Sequence, residues 1–334
     1  MSRLNNPTLL GQNLGRLNTI KLDSDELLHV IGSQQWEQFL NRHHLEAAYL
    51  EQAVNHYYHL VLAILRQQQR LDRPLIVGIN GAQGSGKSTL ADWLVTVLSA
   101  LLPTAAVALS IDDFYLTREQ RGQLAESVHP LLATRGVPGT HDISLALDTL
   151  AQLGRTHTEI AVPRFDKSRD DRYPSQHWSR VCAPVSVVVL EGWCLGVTAQ
   201  DDAQLEKPVN DLERIEDSAG IWRQYANRQL RGDYQQLWEQ VDIWVMLRAP
   251  GFSAVYDWRL EQERKLAVQM SGANGGHQAG NRLMDEGAIA RFIQFYQRLT
   301  EHALKVLPSQ VDFLYELDRE RQIVAIRCPQ EGSS

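Results

Sequence analysis

Cysteine is scarce in this sequence of 334 residues, and what there is carries no pattern. Cys182, Cys194 and Cys328 form no C-x-x-C pair and fit no zinc-ligand spacing. An odd count without pattern argues against a disulfide framework and for reduced thiols in a cytoplasmic protein. Long apolar runs are missing as well. The most apolar stretches, Leu60–Leu65 and Val185–Leu190, fall far short of the ~20 residues a transmembrane helix needs. Met1–Ile20 lacks the charged-then-apolar layout of a secretory signal, so none is expected. Positive charge is in deficit: 33 Lys and Arg against 40 Asp and Glu leave a net charge of −7. A general attraction to nucleic acid or to a membrane surface is therefore not expected, and the anticipated partner is a small molecule drawn in by a few local Arg and Lys. Internal repeats are absent. The 43% of hydrophobic residues suffices for a sizeable core.

The first 72 residues read as a helical extension. Leu50, Val54, Tyr57, Leu60, Val61, Ile64 and Leu65 recur at helical spacing, with a cap signal upstream at Ser24-Asp25-Glu26. From residue 73 to about 330, apolar strand-like runs alternate with helical patterns. Strands are predicted at Leu75–Ile79, Ala105–Ile111, Glu159–Val162, Val185–Leu190 and Ile243–Leu247, with strand-like pairs at Val311–Glu316 and Ile323–Arg327. Helices are predicted at Ser88–Leu101, Thr117–Glu126 and Ile143–Leu153. This alternation predicts an α/β domain, a parallel sheet of a five-strand type covered by helices on both faces. The acidic, polar segment 198–232 reads as an insert. Ser271–Asn281, with four glycines, reads as a mobile segment.

The strongest motif is Gly81-Ala82-Gln83-Gly84-Ser85-Gly86-Lys87-Ser88, which fits G-x-x-x-x-G-K-[ST] between a predicted strand and a predicted helix. Glycines let the backbone N–H groups wrap phosphates, and the helix N-terminus adds partial positive charge. Lys87 is expected to reach the β- and γ-phosphates of ATP, Ser88 to ligate Mg2+, and Thr89 to complete the phosphate-binding set. The chain is therefore expected to have the P-loop NTPase fold. A guanine-reading N-K-x-D, a transporter-type L-S-G-G-Q and a strand ending in Asp-Glu are all missing. Those absences turn the reading away from GTPases, transporters and many hydrolytic ATPases. The second strand instead ends in Asp112-Asp113, and strand carboxyl ends face the ligand crevice of such sheets. Asp112 is thus the expected base for a substrate hydroxyl. Its bland alternative is a turn former.

These segments resemble the uridine kinase, phosphoribulokinase and pantothenate kinase group, and within it the D-glycerate 3-kinase branch. The resemblance is carried by the P-loop, Leu109–Thr117, Leu190-Glu191-Gly192-Trp193, Arg135–Asp142, Pro163–Ser168 and Trp258–Leu266. It implies that Asp112 is the catalytic base and that Glu191 is an acid near the metal. It also implies that Thr140 and His141 lie on a substrate loop, that Asp166 faces the acceptor, and that Arg259 and Arg264 belong to a lid helix within residues 252–282. Asp113 and Tyr115 join the substrate side. Arg135 and Arg164 are candidates for a substrate carboxylate, since a bidentate guanidinium suits one. Open alternatives are a capping role for His141 and a solvated loop for Arg164 and Lys167. The expected reaction is phosphoryl transfer from ATP to a hydroxyl, with D-glycerate the leading acceptor. The rivals are a nucleoside, a sugar phosphate or pantothenate as acceptor, or a non-catalytic ATP-binding regulator.

Overall fold

The computed structural model describes residues 27–29, 31–155, 158–261 and 286–329. Arg264, the segment Ser271–Asn281 and the cap signal at Ser24–Glu26 lie outside the described residues.

Two helices come first, α1 (Ser33–His43) and α2 (Ala48–Gln68). They are followed by β1 (Leu75–Gly81), α3 (Lys87–Leu101), β2 (Ala106–Ser110), α4 (Arg118–Ser127) and α5 (Ile143–Leu153). Next come β3 (Thr158–Val162), β4 (Phe165–Asp166), β5 (Asp171–Arg172), β6 (Ser179–Ala183) and β7 (Val187–Gly192). Short helices α6 (Asp202–Leu205), α7 (Asp211–Ile215), α8 (Ile221–Arg231) and α9 (Asp233–Trp238) precede β8 (Ile243–Arg248). A helix over 252–261, here α10, leads out of β8. The described chain closes with α11 (Glu286–Val306), β9 (Phe313–Leu317) and β10 (Ile323–Arg327).

The main sheet has the order β10-β9-β8-β1-β7-β2. Pairings from β2 through β9 are parallel, and β10 alone runs antiparallel, against β9. Every residue of β1 and β7 is buried, as expected of strands covered on both faces. Their side chains alternate between two cores. Val188 and Leu190 face one with α5 and α11, while Val187 and Val189 face the other with α2 and α3. The second core explains α2: Val54, Tyr57, Leu60, Val61 and Ile64 form its buried stripe and pack against the sheet. Leu60 is completely buried, so cutting it to Ala is expected to cost about 2–5 kcal/mol.

One expected strand falls elsewhere. Thr158–Val162 pairs antiparallel with Ser179–Ala183 in a separate two-stranded ribbon. The strand is exposed at Thr158 and Glu159, whereas a central parallel strand is buried throughout. Its partner β6 was not anticipated. A third, minimal ribbon joins β4 to β5. Among the described residues no helix is long and apolar enough to cross a membrane.

Candidate active site

The carboxyl end of β1 runs into the P-loop. Gly84 and Gly86 adopt φ values of 81° and 89°, a left-handed backbone open to glycine. Gly86 is the N-cap of α3, which starts at Lys87. At Gly84 a Cβ would lie 2.7 Å from the Cβ of Trp258, so a side chain is excluded there by strain and by contact. Trp258 is buried on α10, and its indole N–H donates to the Arg319 carbonyl at 2.7 Å. Arg321, in the turn between β9 and β10, donates to the Gly84 carbonyl at 2.9 Å and to Glu261 of α10 at 2.6 Å. The loop is thereby held between the first turns of α10 and the last hairpin. Arg259, next to Trp258, lies 5.3 Å over the ring of Phe292.

β7 lies between β1 and β2, and Glu191 at its end sits in register with Ile79 on one side and Ser110 on the other. The P-loop, Glu191 and Asp112 therefore leave three adjacent strand ends on the same edge. The Ser88 hydroxyl donates to Glu191 Oε1 at 2.9 Å, and Lys87 Nζ lies 3.8 Å from Oε2. Glu191 is 6% exposed, and its Oε2 is buried without a hydrogen-bond partner among the described residues.

β2 ends in a single 3-10 turn, Ile111–Phe114, in which the two acids part company. Asp112 Oδ2 accepts a hydrogen bond from Lys167 Nζ at 2.8 Å. Burial by itself would raise the pKa of this carboxyl, but the Lys167 and Lys87 ammonium groups outweigh it and hold it at about 2. Asp113 turns to the β4 segment, accepting from Arg164 Nη1 at 2.7 Å and from the Phe165 N–H at 3.1 Å. Burial raises its pKa, with Arg164 opposing.

The loop from Arg135 to Asp142 is tied by backbone pairing to Phe114–Leu116, just beyond Asp112. Tyr115 bridges His141, Leu116 N–H donates to the Thr140 carbonyl and Asp142 N–H donates to the Phe114 carbonyl. His141 stacks on Tyr115 with centroids 4.3 Å apart and 20° between planes. Burial lowers its pKa to about 4, with the Asp112 charge opposing. The cap of α5 is Asp142, which accepts from Leu145 N–H, so His141 is not the cap.

Several anticipated substrate residues are engaged elsewhere. The Thr140 hydroxyl is fully buried, accepting from Gly136 N–H and donating to the Val137 carbonyl, which closes its own turn. Arg164 and Asp113 pair with each other. Asp166 accepts from Ser168 and from the Arg169 N–H, making the tight turn that carries Lys167 to Asp112. Arg135 pairs with Asp170, whose other oxygen takes Arg121 at 2.6 Å, and both guanidinium groups lie within 5.6 Å of the Phe165 ring centre. Two residues carry no assigned role in the sequence reading: Lys167, for which a solvated loop stands as an open alternative, and Tyr234, whose hydroxyl lies 2.6 Å from His141 Nδ1. Lys167 sits in the Pro163–Ser168 segment that carried the family resemblance, which was the available signal. For Tyr234 there was none.

Beyond Lys87 and Thr89, a cavity of about 460 Å³ opens between α2, the P-loop and the β9–β10 turn. Tyr49, Gln52 and His56 form its α2 wall, with Arg321 and Ile323 opposite.

No family model matches the chain. It is 35% identical over 221 residues to the uncharacterized kinase mug58 of Schizosaccharomyces pombe, an alignment covering 63% of this chain and 78% of that protein. It is 34% identical over 218 residues to the chloroplastic D-glycerate 3-kinase of Arabidopsis thaliana, covering 60% of this chain and 43% of the plant protein. Among solved structures it is similar to the D-glycerate 3-kinase from Cryptococcus neoformans, with 25% identity, a TM-score of 0.66, and coverage of 84% of this chain and 99% of that one. With a P-loop at the end of β1, two acids at the neighbouring strand ends and these relatives, the chain is an ATP-dependent phosphotransferase and belongs to the P-loop kinase family that includes mug58 and D-glycerate 3-kinase.

Proposed function

We propose that this kinase transfers the γ-phosphoryl group of ATP to a hydroxyl of a small carboxylated acceptor, with D-glycerate the leading candidate. The observation that carries this reading is the convergence of Lys87, Ser88, Glu191 and Asp112 at three adjacent strand ends. Asp112 takes the acceptor's proton as the phosphoryl group leaves, and Lys87 stabilises the charge on the moving group. A regulator that only binds ATP needs the cradle but not the acid at the end of β2.

The donor set around Ser88 suits Mg2+. Magnesium bound with a nucleotide keeps most of its sphere as phosphate oxygens and waters and takes one or two protein oxygens. Ser88 Oγ and Glu191 Oε2, which has no hydrogen-bond partner among the described residues, supply that number, directly or through water. Among the described residues no cluster of three or more His, Cys, Asp or Glu competes for a metal. When bound, the ion neutralises charge on the phosphates.

The cavity beside Thr89 has the position and volume for the nucleoside of ATP, which gives the helical extension 1–72 a part in nucleotide binding through Tyr49 and His56. The core 73–330, with the 198–232 insert and the 252–282 lid region, carries the rest of the site. On the acceptor side, Asp170 offers one negative charge to two guanidinium groups. Of the two, Arg121 is fully buried and Arg135 is partly exposed, which favours Arg135 for the acceptor carboxylate. Arg164, neutralised by Asp113, positions its loop instead.

The test is ADP release with Mg·ATP against a panel of D-glycerate, nucleosides, sugar phosphates and pantothenate. Stimulation by D-glycerate well above the others is expected. Slow hydrolysis unaffected by every acceptor would favour the regulator.

A further inference from the structure

Tyr234 stands on α9, just past the 198–232 insert, and belongs to no motif of the sequence. It is 1% exposed. Its hydroxyl oxygen accepts the Gly139 N–H at 2.9 Å and lies 2.6 Å from Nδ1 of His141. A phenol carries one hydrogen that needs an acceptor when buried. Among the described residues the only other hydrogen-bond partner of this oxygen is the Gly139 N–H, itself a donor, so that hydrogen goes to His141. Nδ1 is therefore the acceptor, and a neutral ring must carry its own hydrogen on Nε2. That Nε2 is buried and has no hydrogen-bond partner among the described residues. Buried donors are nearly always paired, so an unpaired one at a ligand site calls for a ligand atom.

We propose that Tyr234 is a positioning residue that holds His141 in the Nε2–H tautomer, so that the ring offers a hydrogen-bond donor to an oxygen of the phosphoryl acceptor beside Asp112. This rests on the reading that the acceptor occupies the space next to Asp112. Four further observations fit it. Stacking on Tyr115 fixes the plane of the ring, so that rotating it out of line breaks the aromatic contact. The backbone bridge between Tyr115 and His141 ties the ring to the turn that carries Asp112. The two side chains feel each other's charge, and a ring with its lone pair on Nε2 would set that lone pair in the field of the Asp112 carboxylate. Burial also keeps the ring neutral near pH 7, which leaves tautomer choice to Tyr234.

The direct test is the nitrogen-15 spectrum of the histidine rings in the whole protein near pH 7, with His141 assigned by its loss in His141→Gln. A bare Nδ1 and a protonated Nε2 are expected. A protonated Nδ1 overturns the proposal, whether or not any acceptor has been found. The kinetic test is a double-mutant cycle. Tyr234→Phe keeps the ring that packs on Trp238 and removes only the hydroxyl. It is expected to raise the acceptor KM about tenfold, the loss of one oriented hydrogen bond, and to leave the ATP KM unchanged. In a His141→Gln background, where an amide N–H replaces Nε2–H and needs no tautomer control, Tyr234→Phe is expected to change the acceptor KM little. Equal effects in both backgrounds would mean that Tyr234 acts through packing, and the proposal fails.

Discussion

Lys167 Nζ lies 2.8 Å from Oδ2 of Asp112, although 55 positions separate the two residues in the chain. The Asp166 turn makes this contact by swinging Lys167 back over the end of β2. The contact places a second ammonium, besides Lys87, beside the Asp112 carboxylate.

Replacing Lys167 by Met is expected to move the acid limb of the kcat/KM profile to higher pH. In the native protein burial would raise the Asp112 pKa, but Lys167 and Lys87 bring it to about 2, below its ordinary 3.8. A depressed carboxyl contributes stability that is complete above the ordinary value and lost as pH falls from about 3.8 to about 2. Without Lys167 the burial effect is less opposed, so the group protonates earlier. An acid limb that stays in place would show that Asp112 does not control it.

Glu191→Gln keeps an oxygen for the Ser88 hydroxyl and removes the charge. The Mg2+ concentration giving half-maximal ADP release, at fixed ATP, is expected to rise about ten- to a hundredfold. An unchanged magnesium requirement would take Glu191 out of the metal's surroundings.

Gly84 and Gly86 share a positive φ, yet only Gly84 faces a wall, the Trp258 Cβ at 2.7 Å. Gly84→Ala is expected to destabilise the nucleotide-free protein by about 1–3 kcal/mol, and Gly86→Ala by less, since nothing lies within 4 Å of its added Cβ. Thermal denaturation of both variants without nucleotide checks this. Equal losses would show that Trp258 does not press on the loop.

What the sequence made legible was local. The buried stripe of α2 follows directly from Val54, Tyr57, Leu60, Val61 and Ile64. The apolar runs Leu75–Ile79 in β1 and Val187–Leu190 in β7 announced strands covered on both faces. The P-loop was readable because its glycines meet a backbone demand, the positive φ at Gly84 and Gly86. Contacts set by chain reversal were not readable. Asp113 and Asp112 are neighbours with the same side chain, and only the return of β4 sends one to Arg164 and leaves the other to Lys167. The β3–β6 ribbon was half missed because Ser179–Ala183 alternates weakly and is partly exposed. Thr140 fitted a substrate loop by type, but its hydroxyl closes a turn, a fate that depends on the Gly136 backbone. Tyr234 lacked any sequence signal because its partner His141 lies 93 residues away.

The role of Asp112 is tested most directly by rapid-quench measurement of phosphoester and ADP formation by Asp112→Asn, with Mg·ATP and D-glycerate. Turnover is expected to fall by about 10²–10⁴-fold, with ATP affinity nearly intact, because the amide keeps the shape of the side chain and cannot accept the proton. Turnover equal to that of the native enzyme would contradict a proton-accepting role for Asp112 and the mechanism built on it.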